Sequence, residues 1–440
     1  MPMHSLFSEL RKIRGELLAI VHSPSRINTI LKIPFYSNAL YLMLANVTNA
    51  LFGFGFWIIV AHRYSPDAVG IATAVLSSAG LLELLCGLGL SYGILSFLFT
   101  SNTPIKLINA SFTLTGLLSL AAAAIFIIGL GLWSPGLKIL REDPYYAVIF
   151  MLYVPVLVLD DLTDQVMTAR RQANLVFIHL LIFNIMRMAL PLLLVLFFQS
   201  FGIFGSWSAA TLIALIISVF LLLPRAQPGY RPFFILDKTV LSKVLRFSFL
   251  NYMGDLFWNL PVLILPIIII NLLGAKSNAY FFIAWAISGI LTMIPLSVGT
   301  SLLAEGASDE SQLKNNIQRS LKMVLLLLVP AVILVWFLAN KILLLYGGVY
   351  AENSASLLRW LSITSLPLTV NIIYFSIKRV QRKMKPVILM TVFMAIIVIL
   401  ISFLLLPRLG INGVGIAWLA GQSMITFIAI TWDMRRWIKR

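Results

Sequence analysis

The feature that most constrains this chain is a succession of about twelve apolar runs, each long enough to cross a bilayer as a helix, which takes about 20 residues. Only 11% of the 440 residues are charged and 60% are hydrophobic, whereas a soluble chain carries about 25% charged residues. A soluble globular enzyme is therefore excluded. The runs cover residues 38–61, 69–99, 108–132, 145–166, 176–198, 203–223, 247–273, 279–304, 321–345, 357–377, 386–406 and 413–433.

Basic residues are divided unequally between the two sides of the predicted membrane. About 25 of the 33 lysines and arginines fall on the side that holds both termini, about 7 fall on the other side, and Arg187 lies inside a span. Because cytoplasmic loops carry the excess of Lys and Arg, we expect a multi-pass protein of the cytoplasmic membrane with both termini in the cytoplasm. Most of the positive charge behind the net value of +17 then lies at the cytoplasmic face, next to anionic lipids, and no nucleic-acid partner is expected.

The connections between spans suggest five segments. Residues 1–37 are predicted to be a cytoplasmic amphipathic segment, because apolar residues at helical spacing alternate with basic ones, as in helices that bind anionic membrane lipids. The basic, proline-bearing stretch 224–246 is predicted to be a cytoplasmic linker. It separates an N-terminal six-helix lobe, 38–223, from a C-terminal one, 247–433, and residues 434–440 form a basic tail.

The two predicted lobes resemble each other when the chain is shifted against itself by about 210 residues. Identical pairs are Ala74 and Ala284, Ser78 and Ser288, and Gly89 and Gly299. Because the shift spans an even number of helices, the lobes are expected to be parallel repeats related by a pseudo-two-fold axis along the membrane normal. The predicted fold class is an all-α, polytopic membrane protein with about twelve transmembrane helices in two lobes, a plan that suits alternating access by rocking.

Arg187 is predicted to lie near the middle of its span, about 16 Å deep at 1.5 Å per residue. An arginine at that depth costs about 2.5–3.5 kcal/mol on insertion scales. We therefore expect it to face a polar cavity and to contact an anionic substrate, since its planar guanidinium can form paired hydrogen bonds with phosphate or carboxylate oxygens. The alternative is a buried ion pair with a carboxylate such as Glu83.

Polar side chains in the seventh span share one helical face, because Asn251, Asp255 and Asn259 are spaced by four residues. Asn49 lies in the first span, which is the repeat partner of the seventh. We expect Asn49, Asn251 and Asn259 to bind substrate together with Arg187, although hydrogen bonds between helices are an equal alternative.

Asp255 and Glu83 are the predicted ion-coupling residues. An intramembrane carboxyl group can bind and release H⁺ or hold Na⁺. No other cofactor is expected, and no metal site, since the chain has one cysteine, Cys86, and four scattered histidines.

Acidic residues close the fourth span. Asp160, Asp161 and Asp164 precede Arg170 and Arg171. We expect these residues to be solvated at the membrane interface and to form ion pairs. The alternative hypothesis is that they form a cytoplasmic gate.

Two stretches carry a family resemblance. LYLMLANVTNALFGFGFWIIVAHRYSPDAVGIATAVLSSAGLLELLCGLGLSYGILSFL, from Leu40, resembles the opening two spans of the polysaccharide-biosynthesis flippases, and LLLYGGVYAENSASLLRWLSITSLPL, from Leu343, resembles their connection into the tenth span. These flippases form the oligosaccharide-lipid branch of the superfamily that also holds the multidrug and toxin extrusion (MATE) transporters. The resemblance implies a V-shaped, two-lobed bundle with a cationic cavity, to which Arg187 is matched.

By that resemblance the chain is a flippase rather than an enzyme. It is expected to move a polyprenyl-(di)phosphate-linked oligosaccharide to the outer leaflet and to work with glycosyltransferases of the same pathway. An alternative is a cation-coupled exporter of small amphipathic compounds. A third is a membrane glycosyltransferase or polymerase, which would require a large catalytic loop that the short connections do not provide.

Overall fold

The computed structural model describes residues 34–194, 199–308, 313–381 and 383–431, and these ranges are helical without strands. Residues 1–33 of the predicted amphipathic segment 1–37 and the predicted tail 434–440 lie outside the described residues, and residues 34–37 belong to the first described helix. The long helices are α1 (Pro34–Arg63), α2 (Pro66–Cys86), α3 (Leu90–Phe97), α4 (Pro104–Ile128), α5 (Pro144–Ala169), α6 (Ala173–Leu194), α7 (Gln199–Ile217), α8 (Lys238–Leu273), α9 (Ala275–Ser308), α10 (Leu313–Leu344), α11 (Gly348–Val380), α12 (Met384–Leu409) and α13 (Asn412–Ala429).

Short helical segments complete two of the connections. Leu130–Trp133, Pro135–Leu137 and Ile139–Glu142 join α4 to α5. A π-helical turn, Ser218–Leu222, and Leu223–Ala226 extend α7.

Eleven of these helices, within the described ranges, are long and apolar enough to cross a membrane. The protein is therefore a multi-pass membrane protein, as predicted. The twelfth predicted span is present as α13, which is not among the eleven. It has 18 residues and carries the polar side chains of Asn412 and Gln422, which lower its hydropathy.

Capping side chains fix where several helices begin. Asp237 accepts hydrogen bonds from the backbone N–H groups of Thr239 and Val240 at the start of α8. Asp143 and Ser65 cap α5 and α2 in the same way, and each is followed by a proline at the first helical position. Such residues satisfy N–H groups that have no partner inside the helix.

The second predicted span is not one helix, contrary to expectation. The chain breaks between α2 and α3, where Leu88 and Gly89 adopt φ of 50° and 72°. A Cβ atom at position 89 would lie 2.6 Å from Cβ of Tyr252 on α8. Glycine is required there both by the left-handed conformation and by the close approach of α8.

The predicted linker is also shorter than expected, because α8 begins at Lys238 and only residues 227–237 connect it to α7. Hydrogen bonds with two side chains of α4 hold this connection in place. The Asn109 side chain donates to the carbonyl of Arg231 and accepts from the N–H of Phe233, and Thr113 accepts from the N–H of Ile235.

Helix packing supports two lobes in contact. The α11 helix is the most enclosed span of the second lobe, with 72% of its central window buried, and it packs on α9, α10 and α13. Between the lobes, α2 packs along both α8 and α9, whereas α1 touches α9 only weakly. The interface is therefore built mainly by α2.

Candidate translocation site

Two names describe the ends of the bundle. The basic end is the face that holds α3, the α5–α6 turn, the 227–237 connection and the α11–α12 turn, and the far end is the opposite face. The described cations of the basic end include Arg170, Arg171, Lys238, Lys243, Arg246, Lys378, Arg379, Lys383 and Lys385.

Arg187 on α6 lies in a box of aromatic rings inside the first lobe. It is 4% exposed. Its guanidinium carbon is 4.8 Å from the ring centres of Phe183 and Trp207 and 5.5 Å from that of Phe56. Cation–π attraction of this kind is strongest where the cation is removed from water, so the rings offset part of the cost of burying the charge.

Amide oxygens complete the surroundings of Arg187. Its Nη2 donates to Oδ1 of Asn184 and, at 3.5 Å, to the carbonyl oxygen and Oδ1 of Asn49 on α1. Nε is buried without a partner in the described part of the chain. The structure thus brings together Arg187 and Asn49, two of the four predicted substrate-binding residues.

The predicted alternative for Arg187, an ion pair with Glu83, is wrong. No carboxylate of the described residues lies within ion-pair distance of the guanidinium. Asn49, which is partly exposed, lies beside the buried guanidinium. The substrate contact of Arg187 stays a prediction, and it requires a conformation in which the guanidinium becomes accessible.

The acidic end of α5 forms an ion network with a histidine on α6. Nδ1 of His179 is 2.6 Å from Oδ1 of Asp164, and its Nε2 is 3.0 Å from Oδ1 of Asp160. The imidazole is fully buried. If both carboxylates are ionised, hydrogen bonds at both nitrogens require the ring to carry two protons, and a charged imidazolium then lies between Asp160 and Asp164.

Two further carboxylates join this network. Asp161 accepts hydrogen bonds from Ser91 Oγ at 2.7 Å and from Gln165 Nε2 at 3.2 Å. Glu83 on α2 lies close enough for its charge to interact with those of Asp160 and Asp161. One predicted ion-coupling residue and the three predicted acidic gate residues therefore form a single acidic cluster, held by α2, α3, α5 and α6.

The two arginines of the predicted gate do not take part in this cluster, so the expected ion pairing is wrong. Arg170 lies just beyond α5, and its burial lowers the pKa of the guanidinium. Arg171 has a φ of 57°, and its guanidinium lies 5.7 Å from the ring centre of Phe99. The gate itself stays a prediction, and His179 is the functional candidate that the sequence analysis missed. The position of His179 inside a predicted span is the sequence feature that could have identified it, because ionisable residues in spans are often functional.

The polar face of α8 lies in the second lobe. Oδ1 of Asp255 is 2.9 Å from Nη2 of Arg379, at the end of α11, and both side chains are about a third exposed. The Asn259 amide donates to the Asp255 carbonyl oxygen, and Asn251 is partly exposed. No hydrogen bond among the described residues joins this face to Arg187 or Asn49, so the four predicted substrate-binding residues form two separate groups.

At the far end, the lobes are joined by a close contact between α2 and α9. The Asn278 amide donates to the Gly70 carbonyl oxygen at 2.7 Å and to Thr73 Oγ1 at 3.0 Å. A Cβ atom at Gly70 would lie 1.8 Å from the carbonyl oxygen of Ala275. Only glycine allows the two backbones to approach this closely.

At the basic end, α2 and α3 contact α8. Tyr252 Oη donates to the Leu85 carbonyl oxygen at 3.1 Å, and the rings of Phe97 and Phe247 meet edge to face with centres 5.0 Å apart. The α2–α3 segment therefore touches the second lobe at both ends of the membrane-spanning region.

Comparison with known proteins shows which families and solved structures this fold is similar to. A family model described as MatE matches residues 257–404, which is about a third of the chain. No curated protein sequence matches. The fold is similar to that of the lipid II flippase MurJ in an inward closed conformation, with a TM-score of 0.73 at 13% identity over 91% of this chain and 89% of that one.

Two transporters of the MOP superfamily are also similar. One is a Pyrococcus furiosus transporter whose binding pocket is described as having reverse polarity, with a TM-score of 0.65 at 15% identity over 92% of this chain and 96% of that one. The other is a multidrug resistance MATE transporter in an inward-facing conformation, with a TM-score of 0.64 at 14% identity over 90% and 94%. The resemblance to this superfamily is confirmed at the level of the fold.

Proposed function

We propose, from the premise that this multi-pass protein has the transporter fold shared by MATE proteins and MurJ, that it translocates a polyprenyl-(di)phosphate-linked oligosaccharide or a related polysaccharide precursor. The basic end faces the cytoplasm, where such precursors are assembled by glycosyltransferases. The two lobes rock against each other to expose the substrate first at one membrane face and then at the other.

One observation carries this proposal. Arg187 holds a positive charge inside the first lobe with no carboxylate of the described residues to neutralise it. A phosphate or diphosphate headgroup supplies the missing negative charge and accepts paired hydrogen bonds from the guanidinium. A cationic drug would be repelled by the same group, so the arrangement favours anionic cargo. The likeness to a lipid flippase supports the same choice.

The contacts between the lobes support a rocking mechanism. Opening toward the basic end separates Phe97 from Phe247, while opening toward the far end separates Asn278 from Gly70. The substrate's lipid chain stays in the bilayer while its headgroup passes between the lobes. Asp255 and Glu83 remain the candidates for coupling to H⁺ or Na⁺, through the ion pair on α8 and the acidic cluster respectively.

The test is flipping of a fluorescent polyprenyl-diphosphate-linked sugar in proteoliposomes. We expect Arg187→Gln to slow flipping by about tenfold or more, which corresponds to the loss of a charge-assisted contact of about 1.4 kcal/mol, and Arg187→Lys to be intermediate. Arg408→Gln is the matched control, because Arg408 is exposed on α12. Unchanged flipping with Arg187→Gln would remove Arg187 from the mechanism. Efflux of a cationic dye without glycolipid flipping would replace the flippase by the exporter.

A further inference from the structure

A cavity of about 520 Å³ opens at the basic end of α8, outside the site described above. It is lined by Ser242, Lys243, Arg246 and Phe247. Neither Lys243 nor Arg246 forms an ion pair with a described residue. Nζ of Lys243 instead lies 5.4 Å from the ring centre of Phe97. Two unneutralised cations in one open cavity are suited to an anion.

A second cavity, of about 350 Å³, is an open groove between α8 and α12 that exposes no polar surface. Its position within the membrane-spanning region makes a hydrocarbon chain the natural occupant, since lipid surrounds these helices. The residues that line it are Phe257, Leu260, Ala395, Ile396, Ile399, Leu400 and Phe403.

The two cavities lie along the same side of α8. Arg246 and Phe257 are eleven residues apart, which is close to three full turns, so their side chains point in nearly the same direction. The rise between them is about 16 Å, and one leaflet of the hydrocarbon core is about 15 Å thick. Leu250, which lies between the two cavities, is 51% exposed and continues the apolar track.

We propose that this face of α8 binds one anionic phospholipid of the surrounding membrane. Lys243 and Arg246 hold its phosphate, and one acyl chain runs past Leu250 into the groove between α8 and α12. The separation of charge and groove by one leaflet thickness fits a single lipid molecule that stands upright in the leaflet at the basic end.

The position of this lipid couples it to the lobe interface. Lys243 and Phe247, on the second lobe, both contact Phe97 of α3 in the first lobe. A phosphate that draws Lys243 away from the Phe97 ring weakens the contact that closes the basic end. The bound lipid therefore lies beside the contact between α3 and α8 that closes the basic end.

The experiment measures lipid bound to the purified full chain by native mass spectrometry. Phosphatidylglycerol and phosphatidylcholine with the same 16-carbon chains are titrated separately. We expect one tightly bound phosphatidylglycerol, and about tenfold or greater weakening in Lys243→Gln/Arg246→Gln. The matched control is Arg231→Gln/Lys238→Gln, which removes two exposed cations of the basic end from outside the cavity. Equal binding of the two lipids, or unchanged binding in the first variant, would overturn the proposal.

The groove is tested independently of the charges. Ile396→Trp fills it and is expected to weaken phosphatidylglycerol with 16-carbon chains, but not a form with 6-carbon chains. Leu404→Trp is the control, because Leu404 is similarly exposed on α12 but does not line the groove. Equal effects of the two tryptophans would show that the groove does not bind the acyl chain. Displacement of the lipid by 10 mM inorganic phosphate would show the same. Displacement of the bound phosphatidylglycerol by a polyprenyl diphosphate at a much lower concentration would assign the site to the transport substrate instead.

Discussion

Arg379 donates a 2.9 Å hydrogen bond to Asp255, which joins the end of α11 to α8 across 124 residues of sequence. The pair is about a third exposed, so it contributes at most about 1 kcal/mol to folding. Its interest is functional, because Asp255 is a predicted ion-coupling residue and its partner lies on another helix of the same lobe. Binding of H⁺ or Na⁺ by Asp255 would compete with Arg379.

Asp255→Asn is expected to abolish the dependence of flipping on a proton or sodium gradient while changing the free energy of unfolding by less than about 1 kcal/mol. The measurement is flipping in proteoliposomes with and without each gradient. Asp67→Asn is the control, since Asp67 also forms a partly exposed ion pair, with Lys276 at 3.7 Å. Gradient dependence that survives in Asp255→Asn would exclude Asp255 as the coupling residue.

His179→Gln is expected to destabilise the protein by about 3 kcal/mol, because removing one partner of a buried ionic group leaves the others uncompensated. The free energy of unfolding is measured by titration with a denaturing detergent. His62→Gln, an exposed histidine that bonds the Ile58 carbonyl, is the control. Adding Asp164→Asn to His179→Gln is expected to recover part of the loss. Equal stability of the two histidine variants would mean that the ion network contributes nothing.

Gly70→Ala is expected to separate α2 from α9 at the far end, because the added methyl group meets a backbone carbonyl that no rotamer change can move. We expect a loss of about 1–3 kcal/mol, as for other overpacked contacts, and greater reactivity of a cysteine placed at Thr73 toward an impermeant thiol reagent. Gly289→Ala on α9 is the control, since a methyl group there meets no atom within 4 Å. Unaltered reactivity would show that the contact does not close the far end.

A disulfide between positions 93 and 244 is expected to lock the basic end. A Cβ atom at Gly93 would lie 3.4 Å from Cβ of Val244, close to the separation of about 3.5–4.5 Å found in disulfides. In a chain whose Cys86 is replaced by alanine, Gly93→Cys/Val244→Cys should stop flipping under oxidation and regain it on reduction. Full flipping by the oxidised variant would show that the lobes need not part at α3 and α8.

Side-chain partners were the part of the site that the sequence could not supply. His179 meets Asp160 and Asp164 because α5 and α6 pack side by side with a particular rotation, and the spacing of these residues in the chain does not encode that rotation. The same holds for Arg187, whose neighbours come from α1, α6 and α7. The expected pairing of the acidic residues with Arg170 and Arg171 is wrong because residues that are near in sequence point to different sides of a helix and its following turn.

The sequence by itself determined that the chain is a two-lobed bundle of membrane-spanning helices, because spanning a bilayer is a property of about 20 consecutive residues and is read from each window separately. It also located most of the polar residues that lie inside the spans, because each is costly inside lipid. Only the tertiary structure decided which of them meet, where α2 breaks to let α8 approach, and that Arg187 is enclosed by rings rather than by a carboxylate. These outcomes depend on the rotation and relative height of packed helices, which arise from contacts between residues far apart in the chain.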